Sequence, residues 1–329
     1  CPRCASSAED ARLFTSLFQQ TPGERLKGRY AVQDVLAAGN TSRVLRALDR
    51  HNGDRPVAIK EISLVRLFRA EERRESLASL NRQIERWRGV QHPALPGIAD
   101  VFEANDRFHV VMELVSGWTG ARIIAEETVA VTPELARNWG AQLCELLRVL
   151  HRQEPPLDVS FLSPEHLMVT PDGQVKLVGL GLGRFVAPTQ YGPYGSTSGY
   201  GAPELEGAFP SPRSDVFVVG RLLYALLIGA DLAKGMGRAM PLQRAVPGIS
   251  TQFVKAIARA AHRDPTHRYA SARQLGRALW DETYGPLAPI PNWYQSARRA
   301  PNPDAPLRGP VRAEAGGQSM EDLGFAADD

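Results

Sequence analysis

The sequence predicts an α+β protein in which a small strand-rich lobe precedes a larger helical lobe. Two observations support this division. In the first part of the chain, apolar runs at 30–35 and 43–48 flank a turn that contains Gly39, a pattern typical of a β-hairpin. After Gly117, longer stretches repeat apolar residues every three or four positions and begin with capping residues, as amphipathic helices do.

The first lobe continues with a strand that contains Lys60 and then with a charged helix. Four apolar residues lie on one face of this helix: Leu77, Leu80, Ile84 and Trp87. Pro93 ends the helical stretch, because proline disfavours a helical conformation in the residue before it. Residues 98–102 and 108–115 are predicted to form two further strands.

The second lobe contains clear helix start signals. Thr132 is a good N-cap and Pro133 suits the first turn, so a helix should run from there to about His151. Further helices are predicted at 214–229, 250–263 and 271–282. The apolar run 216–230 is 15 residues long and includes Arg221. Because a membrane-spanning helix needs about 20 residues, we expect a buried helix here.

The chain divides into a lead-in at 1–28, a first lobe at 29–116, a second lobe at 117–283 and a tail at 284–329. Proline recurs in the tail and excludes regular helix from much of it, so we expect the tail to be mostly disordered. The segment 319–325 mixes acidic with apolar residues and would suit docking on a partner, although a solvated acidic end is the simpler interpretation.

The composition indicates a globular protein without a strong charge preference. Of the 329 residues, 43% are hydrophobic and 23% are charged, and the formal net charge of +3 is too small to indicate a nucleic-acid partner. We recognise no targeting segment and no membrane span, and three cysteines are too few for a disulfide framework. A cytoplasmic protein is therefore expected.

Cys1 and Cys4 form a single C-x-x-C pair. Structural zinc requires four ligands, and the sequence has no second pair. These cysteines could therefore hold zinc only together with ligands from another chain, and we expect no resident metal. Cys144 lies among leucines and is predicted to be part of the core.

A set of short motifs follows in a characteristic order. Residues 57–60 read Val-Ala-Ile-Lys, an Ala-Pro-Glu motif ends at Glu204, and Arg268 ends an Asp-Pro-Thr-His-Arg segment. On these residues the chain resembles the catalytic domain of bacterial serine/threonine protein kinases over roughly residues 30–282. The resemblance implies a two-lobed kinase fold, in which Glu204 pairs with Arg268 and Asp215 braces the catalytic loop.

The residues that this family uses for chemistry are replaced. Phe161 stands where the resemblance places the proton-accepting aspartate, and His166 stands where it places the metal-binding asparagine. Gly179 replaces the aspartate of the Asp-Phe-Gly motif, and Gln83 replaces the glutamate that pairs with the lysine. A phenyl ring accepts no proton, and neither glycine nor imidazole supplies the oxygen ligands that Mg²⁺ prefers.

The resemblance also implies an adenine slot. Its residues are Lys60, Gly39, Val44, Ala58, Met112, Glu113, Val115 and Met168. Lys60 would contact phosphate, and the lining side chains are mostly apolar, so the slot could accept a nucleotide or close by packing on itself. The glycine-rich loop keeps only Gly39 of the family's three glycines, which favours an ordinary hairpin turn.

These replacements predict a catalytically impaired kinase homologue, a pseudokinase, that acts as a scaffold or regulatory module. Its expected partner is a protein, with an active kinase as one candidate, and no cofactor is expected. The alternative is a switch that binds ATP without magnesium, or a weak serine/threonine kinase. Enzyme activity is thus left open. We expect no phosphoryl transfer, because the catalytic base and the metal ligands are both replaced.

Overall fold

The computed structural model describes residues 24–39, 42–64, 70–125, 131–182, 199–234, 241–280 and 290–296. These residues form two compact units. The first unit comprises the described residues up to Leu77 together with 97–114. The second unit comprises residues 78–96 and the described residues from Val115 onward, up to 296.

The first unit is built on an antiparallel sheet that has six strands within the described residues, in the order β1-β2-β3-β4-β6-β5. The strands are β1 (Arg25–Leu26), β2 (Tyr30–Ala38), β3 (Ser42–Asp49), β4 (Arg55–Ser63), β5 (Ile98–Ala104) and β6 (Arg107–Glu113). β2 and β3 form the predicted hairpin, in which the Gly39 N–H donates to the Ser42 carbonyl at 2.8 Å. Helix α1 (Ala70–Arg88) begins in this unit and ends in the second.

One apolar cluster forms the core of the first unit. Along β3, buried residues alternate with half-buried ones, as expected for a strand with one face on the core. Leu45 of β3 and Ile59 of β4 therefore lie on the same side of the sheet, with Tyr30 and Val111 beside them. Phe102 of the edge strand packs against this cluster and stacks on Tyr30 at a centroid distance of 5.9 Å.

The second unit is mainly helical. Besides the end of α1, its helices in the described part of the chain are α2 (Gly120–Ala125), α3 (Pro133–Leu150), α4 (Pro212–Ile228), α5 (Leu242–Ala245), α6 (Thr251–Ala260) and α7 (Ala272–Leu279). A small sheet, with the order β7-β8-β9, accompanies them. Its strands are β7 (Trp118–Thr119), β8 (Leu167–Val169) and β9 (Val175–Leu177).

Helix α4 is the buried helix that the apolar run predicts. Its residues 214–227 are all buried, and it packs against α3 and α6. Ser211 caps the N-terminus through a capping box with Ser214, and for this reason the helix begins at Pro212, two residues before the predicted start. No helix in the part of the chain that the structure describes is long and apolar enough to cross a membrane.

The other long helices of the second unit begin at the predicted caps. The side chains of Thr132, Ser250 and Ser271 each accept a hydrogen bond from a backbone N–H in the first turn of α3, α6 or α7. The last two helices end earlier than predicted. The backbone leaves the helical conformation at Trp280, so α7 stops three residues before the predicted end.

Residues 290–296 form a short segment that packs on the second unit. Trp293 is 2% exposed, and its ring meets Trp118 and Trp139 edge-on at centroid distances of 5.2 and 5.1 Å. Its indole N–H donates to the Thr170 carbonyl at 2.8 Å. This segment of the tail is therefore packed, because burial of an indole with aromatic partners offsets the loss of chain entropy.

Candidate active site

The loop to which the resemblance assigns the catalytic residues lies between α3 and β8. It follows Val159 through a tight turn, in which the Leu162 N–H donates to the Val159 carbonyl at 2.7 Å, and ends in a 3-10 turn at Pro164–His166. Asp215 of α4 holds the start of this loop, because its Oδ1 accepts the Val159 N–H at 3.0 Å. The described structure therefore brings Asp215 to the loop that the resemblance assigns to it.

Phe161 points into an aromatic cluster. It is 4% exposed, and its ring meets Trp87 at 6.5 Å and His166 at 5.7 Å, each in an edge-to-face arrangement. This geometry is favourable for aromatic pairs, which contribute about 0.5–1.5 kcal/mol beyond the area that they bury. The position at which the resemblance places a proton-accepting carboxylate is here part of an aromatic cluster.

The ring of His166 occupies the space beside Gly179. A Cβ atom built on Gly179 would lie 2.7 Å from His166 Cγ, which is closer than real Cβ atoms approach other heavy atoms. His166 is held in place by its Nδ1, 3.0 Å from the Ser163 hydroxyl, and by its carbonyl, which accepts the Val178 N–H at 2.9 Å. Position 179 therefore has no room for any side chain while His166 keeps this rotamer.

Gly181 is a second constrained glycine, which the sequence did not single out. Its φ of +60° lies in the left-handed region, and an added Cβ would approach Phe161 Cε1 to 2.8 Å. Two glycines therefore face two aromatic rings, with Gly179 against His166 and Gly181 against Phe161. The signal that could have revealed Gly181 is the Gly-Leu-Gly spacing of 179–181, read together with the bulky residues at 161 and 166.

The acids nearest to this site in sequence have other contacts or point outward. Asp158 Oδ1 accepts the hydroxyl of the buried Ser160 at 2.6 Å, and Glu165 is exposed. Among the described residues, no group of three or more His, Cys, Asp or Glu side chains could hold a metal ion. The residues at 166 and 179 do not fit magnesium, because they offer an imidazole packed on a backbone instead of oxygen ligands.

Asp215 also contacts the end of α3. Its Oδ2 lies 2.7 Å from His151 Nε2, and the carboxyl group is fully buried. Burial raises the pKa of Asp215 to about 6, although the hydrogen bond with His151 acts in the opposite direction. Of the two carboxylate oxygens, one thus holds the loop at Val159 and the other holds the helix end at His151.

Glu204 and Arg268 form the ion pair that the resemblance implies. Two guanidinium nitrogens of Arg268 donate to the two Glu204 oxygens at 2.7 and 2.8 Å, and Arg268 is 1% exposed. The Ser214 hydroxyl donates to the same carboxylate at 2.9 Å. Burial alone would raise the pKa of Glu204, but the hydrogen bonds from Arg268 outweigh it and hold the pKa below its usual range.

The candidate nucleotide residues of the first unit lie on adjacent strands. Lys60 of β4 is half-buried and pairs in register with Val44 of β3, and Ala58 pairs with Met112 of β6. Glu113 closes β6, with its N–H donating to the Gly97 carbonyl at 2.9 Å. The sheet thus brings together five of the eight slot residues, while Gly39 stays in the hairpin turn.

The remaining candidate residues belong to the second unit. Val115 and Met168 are half-buried, and Met168 of β8 pairs in register with Lys176 of β9. Gln83 of α1 is 5% exposed, and its side-chain oxygen accepts from Arg86 at 3.3 Å. Cys1, Cys4 and the segment 319–325 lie outside the described residues.

Sequence reasoning missed a buried charge cluster next to Lys60. Glu61 is fully buried and contacts Arg43 at 2.9 Å, Arg107 at 3.3 Å and His109 at 3.2 Å. Burial would raise the pKa of Glu61, but hydrogen bonds from His109 and Arg43 outweigh it and lower the pKa. No local sequence pattern indicates this cluster, because its members lie on three different strands.

The chain matches the family model of the protein kinase domain over residues 30–280. It is 30% identical over 288 residues to the serine/threonine-protein kinase PknG of Mycobacterium leprae, with 85% of this chain and 35% of the relative covered. It is 32% identical over 284 residues to the serine/threonine-protein kinase PknL of Mycobacterium tuberculosis, with 77% and 65% covered. The chain thus spans about a third of the PknG relative and two thirds of the PknL relative.

Solved structures show the same fold. The apo form of PpkA-294 superposes with a TM-score of 0.68 at 19% identity, with 80% of this chain and 99% of that chain covered. The kinase domain of PknI from Mycobacterium tuberculosis superposes with a TM-score of 0.59 at 21% identity, with 79% and 98% covered. A protein-kinase fold, α+β with a strand-rich and a helical part, is therefore confirmed.

Proposed function

Because this chain belongs to the protein kinase domain family, we propose that it is a pseudokinase that binds and regulates a protein partner instead of transferring phosphate. One observation carries the proposal: the packing of Phe161 and His166 against Gly181 and Gly179. Aromatic rings stand where the resemblance places the proton-accepting aspartate and the metal-binding asparagine, and the ring of His166 occupies the space that a side chain at 179 would need.

The energetics of phosphoryl transfer support this proposal. Catalysis of that reaction depends almost entirely on positioning and on neutralising the negative charge that moves between oxygens. Loss of a general base alone slows a reaction by about 10²–10⁴-fold. In this chain the base position, both metal-ligand positions and the glutamate position at Gln83 have all changed.

The proposed partner is a protein, and an active kinase is the first candidate to test. The ion pair between Glu204 and Arg268 and the contacts of Asp215 preserve the architecture of the helical unit without any chemistry. A domain that keeps its architecture and loses its reactive groups is suited to recognition. No cofactor is required for such a role.

A phosphotransfer assay tests the proposal. The full chain is incubated with radiolabelled ATP, magnesium and a generic serine/threonine substrate, beside the Lys60→Met variant and an active bacterial kinase domain. We expect the chain and its Lys60→Met variant to incorporate the same background amount of label. Incorporation by the chain that is lost in Lys60→Met would overturn the proposal in favour of a weak serine/threonine kinase.

The second candidate function is an ATP-binding switch that works without magnesium. It is favoured by Lys60, which is kept on β4 beside Val44 and close to the Ala58–Met112 pair. A ligand that binds only the folded state raises the melting temperature. The ATP-binding switch would be supported if ATP raises the melting temperature equally with and without magnesium, and if Lys60→Met abolishes this rise. Absence of any shift would select a scaffold that does not use nucleotide.

A further inference from the structure

The outer faces of α3 and α7 enclose a groove of about 480 Å³ in the second unit. Its lining includes small residues, among them Cys144 of α3 and Gly276 of α7. These two helices approach so closely that a Cβ atom on Gly276 would lie 3.2 Å from Cys144 Cβ. Cys144 is buried, which raises the pKa of its thiol, so this thiol is expected to be unreactive.

Arginines line both walls of this groove. They are Arg148 on α3, Arg152 in the turn after it, and Arg273 and Arg277 on α7. The one acidic residue among the lining residues is Glu145, which pairs with Arg148 at 2.8 Å. Four positive and one negative side chains leave an excess of +3, equal to the net charge of the whole chain.

Three of these arginines have no partner within the described structure. The side chains of Arg152, Arg273 and Arg277 are exposed and make no hydrogen bond or ion pair there. Like charges in one groove repel each other, and the repulsion is relieved when an anion binds. Arg273 and Arg277 are four residues apart on α7, about 6 Å along the helix, which matches the spacing of side chains on one face of a short peptide.

Trp280 adds an apolar surface to the groove, beside the arginines. It follows the last residue of α7, lines the groove and is 39% exposed, which makes it one of three exposed large hydrophobic residues in the described structure. Arginine and tryptophan are the residue types most enriched at the energetic centres of protein interfaces. A nucleic acid would instead be expected to need a longer basic track with several stacking rings.

We infer that the groove between α3 and α7 binds an acidic segment of a partner protein, with carboxylates on the arginines and one apolar side chain against Trp280. The inference assigns a surface to the proposed protein-binding role and rests on that role. It does not depend on whether the chain transfers phosphate, because no residue of the groove belongs to the candidate active site.

The test uses the full chain and a fluorescent synthetic peptide of Asp and Glu residues around one Phe, with an Asn and Gln version as the neutral control. Anisotropy measured at low ionic strength should show binding of the acidic peptide alone, weakened by added salt. The double variant Arg273→Ala, Arg277→Ala should lose about tenfold in affinity, as expected for two exposed ion pairs. The single variants Arg152→Ala and Trp280→Ala should each lose several-fold.

A matched control removes two exposed arginines from another helix. The double variant Arg74→Ala, Arg82→Ala on α1 changes the net charge by the same amount and should bind the peptide like the unmodified chain. Equal affinities for the two double variants, or no binding by the unmodified chain, would overturn the inference. Tighter binding of an oligonucleotide of equal charge would overturn it in favour of a nucleic-acid site. The phosphotransfer assay is unaffected by each of these outcomes.

Discussion

The imidazole of His166 lies where the side chain of residue 179 would begin. A Cβ atom on Gly179 would be 2.7 Å from His166 Cγ, and the ring cannot move freely because Nδ1 is 3.0 Å from the Ser163 hydroxyl. The two positions at which the resemblance places metal ligands are therefore coupled sterically in this chain. A side chain can return at 179 only if His166 is also changed.

The first prediction concerns this coupling. Gly179→Ala should lower the free energy of unfolding by about 1–3 kcal/mol, because the added methyl group overpacks the contact with His166. In a His166→Ala background the same substitution should cost much less. Urea denaturation of the four proteins in this double-mutant cycle measures the coupling. Purely additive effects would show that the ring does not exclude a side chain at 179.

The second prediction concerns the aromatic core of the catalytic loop. Trp87 is 3% exposed and meets Phe161 edge-on, so Trp87→Ala should cost about 3–5 kcal/mol of stability. Trp87→Phe keeps a ring in this place and serves as the control, with a smaller cost. Denaturant unfolding measures both variants. A change near zero for Trp87→Ala would refute the assigned packing.

The third prediction concerns the buried ion pair. Arg268→Met should cost about 3–5 kcal/mol, because it leaves the Glu204 carboxylate without its main partner. The double variant Glu204→Gln, Arg268→Met should be more stable than Arg268→Met alone, since it removes the uncompensated charge. Thermal unfolding of the three proteins at one pH distinguishes them. If the double variant is the least stable of the three, the uncompensated Glu204 carboxylate is not the reason why Arg268→Met loses stability.

The fourth prediction concerns pH. The pKa of Asp215 is raised from 3.8 to about 6, so the folded protein binds more protons than the unfolded chain between these values. The contribution of this carboxyl group is therefore fully present below pH 3.8 and is lost as the pH rises through about 6. As the pH rises across this window, ionisation of Asp215 lowers the free energy of unfolding by about 3 kcal/mol at most.

Asp215→Asn is the matched variant for this test. The amide oxygen can still accept the Val159 N–H, but the group no longer titrates. Denaturant unfolding at several pH values should show a smaller loss of stability with rising pH in Asp215→Asn than in the unmodified chain. Identical slopes for the two proteins would contradict the assignment.

The fifth prediction concerns the C-terminal segment. Gly173 has a φ of +82°, and a Cβ atom there would lie 2.6 Å from the Ile290 nitrogen. Both Gly173→Ala and Trp293→Ala should therefore release residues 290–296 from the second unit. Limited proteolysis should cleave near this segment faster in both variants, while Tyr294→Phe should behave like the unmodified chain. Unchanged cleavage would indicate that the aromatic contacts do not hold the segment.

Much of the fold could be predicted from local patterns. The hairpin around Gly39, the capped helix from Thr132 and the buried helix after Ser211 follow from periodicity, turn residues and caps, which are properties of neighbouring residues. The predicted ends were less accurate. The capping box of Ser211 and the extended backbone at Trp280 moved the ends of α4 and α7 by two or three residues.

The order of the motifs in the sequence determined by itself that the chain has a kinase fold, and it predicts that Phe161, His166 and Gly179 replace the family's reactive residues. Both rest on which residues follow one another along the chain, so neither required coordinates. Only the tertiary structure decided that the rings of His166 and Phe161 take up the space beside two glycines. It also decided that Trp293 returns to α3 and that four arginines converge on one groove. Each of these contacts joins residues that are distant in sequence, and their side-chain directions depend on how helices and strands pack, which no local spacing encodes.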